Sequence, residues 1–503
     1  MTEIVLLFLL GLITYFIVQY ITGVTRTPWW WLWLVAMAPA LILSVWPLLS
    51  GGRTMPLSVL IGLGVFCLLL YNVLIQTGRV SSPPAVKSSP DANQEQPNDP
   101  FNDSPVDAPG LRPLDKTEEP KLQACFPWSV YYLQTIEYRP QVVICRGQLR
   151  SKPDLAYQTI RENIEETFGD RFYILFQEAP NGKPVFVLVP NPQSQSSRPE
   201  QSKSRRKPDW DYSTSPILAI GLLLITVFTT TLAWQALTGN AIAISAPALV
   251  QGLPYALALM TILGVHELAH YLTARHYKVR ATPPYFIPFY PFSLFPFGTF
   301  GAFIQIRSPI PHRRALFDIG ISGPLCGFIV ALPLLLWGLG HSEITALPDK
   351  LVPFNFQAFD PNFSLLLALL SKLTLGNALT AQTAIRLHPV AVASCLGVVI
   401  TALNLMPVGQ LDGGHIVHAM FGQRTGAAIG QIARILLCLL AFTQHHLIPW
   451  AILLLLISAN DEPALNDVTE LNNQRDIWGL LAIGLLLLII LPTPAALSRL
   501  LNG

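Results

Sequence analysis

Stretches of about twenty apolar residues, long enough to cross a hydrocarbon core, recur along this chain and limit its fold more than any other feature. They lie at 4–21, 29–49, 55–76, 216–236, 248–275, 316–339, 388–406, 426–443 and 477–494, with a shorter run at 447–459. The pair 426–459 reads as a hairpin or as two full crossings. No water reaches the middle of a bilayer, so a chain passing through it must satisfy its backbone N–H and C=O groups internally. Runs of this length do so as helices, and they predict an all-α polytopic membrane protein. Composition agrees. Only 12% of the 503 residues are charged, about half the share of a soluble chain, and most of those charges fall between 79 and 215.

That uneven charge divides the chain. Residues 1–76 read as N-terminal anchor spans; the first run lacks a positive leader and a small-residue cleavage site, and nothing before it resembles a transit peptide. Residues 77–120, rich in Pro, Asn, Asp and Ser, read as a disordered linker. Residues 121–192 read as a small α+β soluble insert. "SVYYLQTIEYR" and "QVVICRGQL" have strand composition, and "RFYILFQEAPNGKPVFVLVP" reads as a hairpin turning at Asn181-Gly182. Between them Ala156, Ile160, Ile164 and Phe168 share one helical face, with Ser151 as a candidate N-cap and Gly169 as a stop. Cys125 and Cys145 lack metal-site spacing; a single bridge between them is left open. Residues 193–215 form a basic polar linker, and 216–503 the transmembrane core. A net charge of +2 points to no nucleic-acid partner. Lys203, Arg205, Arg206 and Lys207 before the span at 216 place the insert, and the inner end of the next span, on the cytoplasmic side.

That next span ends in "HELAH". On a helix, positions i and i+4 point the same way, so His266 and His270 can grip one metal ion. Glu267 sits about 100° further round, beyond a ligand's reach but able to contact metal-activated water. HExxH is the zinc-peptidase arrangement. Chance polar residues in a protein interior are the plainer reading; inside an apolar span, ionisable groups are costly and usually functional. A third ligand is needed. His276 falls at the last position of HExxHxxGxxH, but Thr273 stands where a chain-reversing Gly is required, so His276 reads as a surface residue. Asp412, in "NLMPVGQLDGGHIVHAM", is the better candidate. Pro407 and the glycines at 409, 413 and 414 break the helix at membrane depth, where irregular backbone survives only against protein or a wet cavity. The alternative for Asp412 is a helix cap at the membrane surface.

"HELAH" with Asn404, Pro407, Leu411, Asp412 and Gly413 in N-x-x-P-x-x-x-L-D-G resembles the site-2 protease family of intramembrane zinc metalloproteases. "GISGPLCG" (320–327) resembles the family's small-residue segment, with Cys326 where a small residue is usual. The resemblance covers roughly 212–500. The long insert and "GQLR" (147–150) are similar to the chloroplast and cyanobacterial branch named for ethylene-dependent gravitropism deficiency and yellow-green leaves, with Gln148 where that branch carries Asn.

The resemblance implies a site-2 protease-like core, one Zn2+ per chain on His266, His270 and Asp412, and Glu267 as general base. It also implies transmembrane protein substrates in the lipid bilayer of a bacterial, thylakoid or plastid membrane, cut near the cytoplasmic or stromal face. Asn404 is expected to hydrogen-bond the scissile carbonyl or nascent oxyanion, or else to serve in helix packing. His415 reads equally as a support for the site or a surface residue. "FPFGTFGAFIQIRSPIP" (295–311) is a poor helix and reads as a strand or hairpin to which an unwound substrate could add, or as an interfacial loop. Two rival functions remain, a non-proteolytic membrane assembly protein and a metal or solute transporter. Neither needs Glu267 beside two metal ligands, and no internal repeat favours transport.

Overall fold

The computed structural model describes residues 113–191 and 216–494, with short breaks, and isolated positions between 11 and 42. Most of the spans expected at 4–21 and 29–49, the span at 55–76, most of the 77–120 linker, and the 193–215 linker lie outside the described residues.

The insert is ordered from its first described residues, where Leu114 is already buried. It runs α1 (Glu119–Ala124), β1 (Tyr131–Arg139), β2 (Val142–Leu149), α2 (Pro153–Phe168), β3 (Phe172–Glu178) and β4 (Pro184–Pro190). The strands form one antiparallel sheet in the order β1-β2-β4-β3, leaving β3 on an edge. Ala156, Ile160 and Ile164 are buried as the helical period requires, and Phe168 is half-buried. They close a core around Phe176 and Phe186, whose rings stack 4.3 Å apart. Gly147 lies against β1 so closely that a Cβ would run into the Tyr132 carbonyl. Ser151 is not the N-cap of α2. Lys152 holds that place without a side-chain bond, and the Ser151 hydroxyl turns to the Val130 carbonyl (3.4 Å); Pro153, which lacks an N–H, starts the helix and lowers the demand for a cap. Cys125 and Cys145 are buried free thiols, not a bridge.

The core continues with α3 (Pro216–Leu237), α4 (Ala246–His276), β5 (Tyr285–Pro288), β6 (Thr299–Phe303), α5 (Arg313–Gly340), β7 (Glu343–Ala346), α6 (Leu365–Leu375), β8 (Thr383–Arg386) and α7 (Pro389–Asn404). Then follow α8 (Asp412–Phe421), α9 (Gln423–Thr443), α10 (Ile448–Leu456) and α11 (Asn473–Ile490). Five of these helices (α3, α4, α5, α9 and α11) are long and apolar enough to cross a membrane, whereas α6 and α7 are shorter apolar helices. Leu224, Leu257, Ile329, Ile435, Phe442 and Leu480 are each more than half exposed. So much outward apolar surface is unfavourable in water and expected against lipid. The chain is a multi-pass membrane protein with a small α+β insert, the architecture that the apolar runs predict.

α4 and α5 cross at the centre, with α7 and α8 packed against them. The expected span at 388–406 is a helix of 16 residues that ends at Asn404, because Pro407 cannot donate the next helical bond. Residues 405–411 turn back, and α8 starts afresh at Asp412. The hairpin β5–β6 packs beside α3 and α4, tied down by the Thr229 hydroxyl to the Gly298 carbonyl (2.7 Å) and by the Tyr255 hydroxyl to the Phe297 carbonyl (3.1 Å). Its second strand falls in the segment expected to be extended. β5, which contains Pro288, is an addition to that reading.

Candidate metal centre

His266, Glu267 and His270 lie in the last third of α4 and are buried. One helical turn separates the two imidazoles, whose Nε2 atoms stand 3.1 Å apart. Asp412 reaches them from the first position of α8, its Oδ2 3.4 Å from His266 Nε2 and 3.3 Å from His270 Nε2. Asp412 is therefore no surface cap: Leu411 holds the cap position, and the Asp412 carboxylate turns into the protein.

Two local features put it there. Gly413 and Gly414 lie against the returning turn, where a Cβ on either would strike the carbonyl of Leu405 or Gly409. Only residues without side chains let the turn fold back so tightly, and that fold carries Asp412 under the histidines. On the far side, α5 presents a face of small residues. A Cβ at Gly323 would sit on His270 Nε2, and one at Gly327 would come within 3.2 Å of the His266 ring. The "GISGPLCG" stretch is thus the floor that admits the imidazoles.

The donors are arranged for a cation. Four ligands held about 2.0–2.1 Å from a tetrahedral zinc are roughly 3.3 Å from one another, and the three edges here are 3.1, 3.3 and 3.4 Å. His270 Nδ1–H donates to the Ile319 carbonyl (2.7 Å), which fixes the ring and leaves Nε2 bearing its lone pair. The residues present therefore fit a zinc ion.

Around this triangle stand the other residues that the sequence singles out. Glu267 lies near the backbone of Ile304, just beyond β6. The Asn404 side-chain amide lies 3.2 Å from His266 Nε2, at the border of the cluster. His276 is exposed at the end of α4 with its ring edge-on to Tyr277, away from the cluster. His415 is half-buried and bonded to Asp461 Oδ2 (2.9 Å). His388 caps α7 and His312 caps α5; His445 and His446 lie outside the described residues.

Sequence reasoning missed a second cluster, His418 with Asp461 and Asp467. The signal was the i, i+3 pair His415 and His418 on the helix that Asp412 opens, followed by the acidic stretch "NDEPALND" (460–467).

Comparison with known proteins finds similar chains among zinc metalloproteases. Residues 254–443 match peptidase family M50, and residues 120–196 match the EGY3 middle domain. The chain is 30% identical over 378 residues to the probable zinc metalloprotease EGY2, chloroplastic, of Arabidopsis thaliana, covering 74% of this chain and 64% of that one. It is 29% identical over 376 residues to the probable zinc metalloprotease EGY1, chloroplastic, of the same plant (70% and 66%). To the probable zinc metallopeptidase EGY3, chloroplastic, also from that plant, it is 26% identical over 395 residues (75% and 67%). The chain spans a little under two thirds of the length of the first of these relatives. No solved structure matches it.

Proposed function

From the premise that residues 254–443 carry a peptidase family M50 domain, we propose that this chain is an intramembrane zinc metalloendopeptidase that cuts transmembrane segments of other proteins. The observation that carries the reading is the triangle of His266 Nε2, His270 Nε2 and Asp412 Oδ2, with edges of 3.1 to 3.4 Å and Glu267 beside it. His266, His270 and Asp412 hold the zinc. When bound, the metal supplies Lewis acidity that makes water a competent nucleophile near neutral pH.

The chain's own residues do the rest. Glu267 accepts the proton that water gives up as it attacks the scissile carbonyl carbon, and then passes it to the leaving amine. Asn404 donates its amide N–H to the carbonyl oxygen as negative charge gathers there. A helical substrate protects its peptide bonds, so a segment must unwind before it can be cut. The strand at 299–306 offers a template for that. One edge is bonded to β5 and to residues 280–282, which leaves the other edge free of strand partners among the described residues, with Ile304 near Glu267. A substrate strand added on that edge would run directly past the base. The basic linker before α3 supports a site towards the cytoplasmic or stromal face. The relatives' names, all chloroplastic, support a thylakoid or plastid-type membrane.

The deciding experiment pairs the native protein with Glu267→Gln on a panel of single-span reporters, with zinc measured on both. Native cleavage, a loss of roughly 100-fold or more in the variant, and equal zinc support the proposal. Zinc bound by neither protein would sink it. Proline substitutions across 301–306 test the strand separately: unchanged cleavage in a folded protein removes the template role.

A further inference from the structure

The loop between α10 and α11 joins parts of the molecule that chain order keeps far apart. Residues 465–467 run parallel to the outer edge of β3, where Phe176 N–H donates to the Leu465 carbonyl (2.6 Å) and Asp467 N–H donates to the Phe176 carbonyl (2.8 Å). Their other edge is bonded to the lead-in of α5. Leu465 N–H donates to the Ile310 carbonyl (2.9 Å) and Asn466 N–H to the Pro311 carbonyl (3.0 Å). Leu465 and Val468 pack on the insert's buried core. The insert's sheet is thereby continued, through this one loop, onto the membrane core.

Side chains of the same loop close on α8. His418 is 1% exposed, and each of its ring nitrogens meets a carboxylate: Nδ1 with Asp461 Oδ2 (2.7 Å) and Nε2 with Asp467 Oδ1 (2.9 Å). With an acceptor at both nitrogens, the ring must carry both protons. Burial draws its pKa down, but the bonds to Asp461 and Asp467 outweigh burial and lift it to about 9. At the far end of α8, Arg313 Nε–H donates to the Ala419 carbonyl (2.9 Å), and another guanidinium nitrogen reaches the His418 carbonyl (3.5 Å). These contacts matter because α8 has ten residues, too few to be stable without tertiary support.

We propose that the insert, by capturing residues 461–469, fixes α8, and that His418 is the positioning residue that keeps the Asp412 oxygen in the metal triangle. The proposal rests on the reading of His266, His270 and Asp412 as zinc ligands, and it makes metal retention depend on docking of the insert.

The test uses the full chain in detergent, stripped of metal. Zinc is titrated back, and amide exchange across 412–421 is followed in the metal-free protein. Asp467→Ala removes half of the clamp. Leu465→Asp expels the loop from the insert's core while leaving Asp461, Asp467, His415 and His418 unchanged. Both are expected to weaken zinc binding tenfold or more and to speed exchange in α8, with kcat on a reporter falling more than KM changes. Asp467→Asn, which keeps an acceptor of the same shape, is expected to fall between Asp467→Ala and native, and it replaces Asp467→Ala should that variant not fold. Native zinc affinity and native exchange in either variant overturn the proposal. Exchange and zinc affinity need no catalysis, so a chain that binds zinc but cuts nothing fails the peptidase reading while this proposal is still decided.

Discussion

The metal centre and the clamp on His418 are built from the same two residue types, and they invert each other. In the first, two imidazoles share one carboxylate oxygen, with edges of 3.1 to 3.4 Å. In the second, one imidazole sits between two carboxylates at 2.7 and 2.9 Å, and the Asp461 carboxylate also bonds His415 at 2.9 Å. The proportion decides the chemistry. Two rings facing a single acid leave lone pairs converging on one point, which suits an added cation. One ring between two acids must supply the cation itself by holding both protons. A chelator should therefore strip the first cluster and leave the second unchanged.

The contrast breaks most visibly at Gly323. Gly323→Ala places a methyl group on His270 Nε2, and we expect zinc content to fall to background and cleavage to vanish. Metal analysis of the purified variant is the check, and full zinc loading would mean that α5 is not the floor described above. A smaller effect is expected from the other cluster. Arg313→Met uncaps buried carbonyls of α8, each unsatisfied acceptor costing about 1–3 kcal/mol, so thermal unfolding should come several degrees earlier. An unchanged midpoint would show that α8 needs no cap.

The smallest effect sharpens the comparison through pH. Asp461, Asp467 and His415 face the His418 ring, and Arg313 faces its carbonyl. The folded pKa of His418, about 9, lies above its unfolded value of roughly 6.5. Its stabilisation is complete below the unfolded value and is lost as pH rises through about 9. Burial pushes Asp461 up, but hydrogen bonds from His415 and His418 prevail and hold it near 2. That contribution is present above roughly pH 3.9 and fades as pH falls through 2. The melting difference between native protein and Asp467→Asn should thus be greatest between about pH 4 and 6.5 and shrink above 9. A difference that stays flat to pH 10 would contradict a protonated His418.

What could be read in the sequence follows the range of the interaction. HExxH is a statement about one helical turn, so spacing alone places His266 and His270 together. Asp412 was legible because Pro407 and the paired glycines announce a break at membrane depth, and such a break demands a reason. The apolar runs likewise foretold the five long helices, though not the short helices α6 and α8. The clamp left no such mark: Asp461 and Asp467 sit in a loop without periodicity, and their partner lies on another element. β5 was hidden by the prolines around it, and Ser151 gave a capping signal that Pro153 made unnecessary. Local rules pointed to the residues of the cluster, whereas the contacts around it had to be seen in space.

The strand contact between Phe176 and Asn466 also sets an order in time. Roughly 290 residues separate the two, which at about 5–20 residues per second leaves the insert waiting on the order of a quarter-minute to a minute for its partner during synthesis. Until then β3 is an open edge, and α8 has neither acid of its clamp. The helix that carries Asp412 therefore stays without its clamp while the chain is being threaded into the bilayer. The loop before α11 both seals the sheet and completes the clamp on His418.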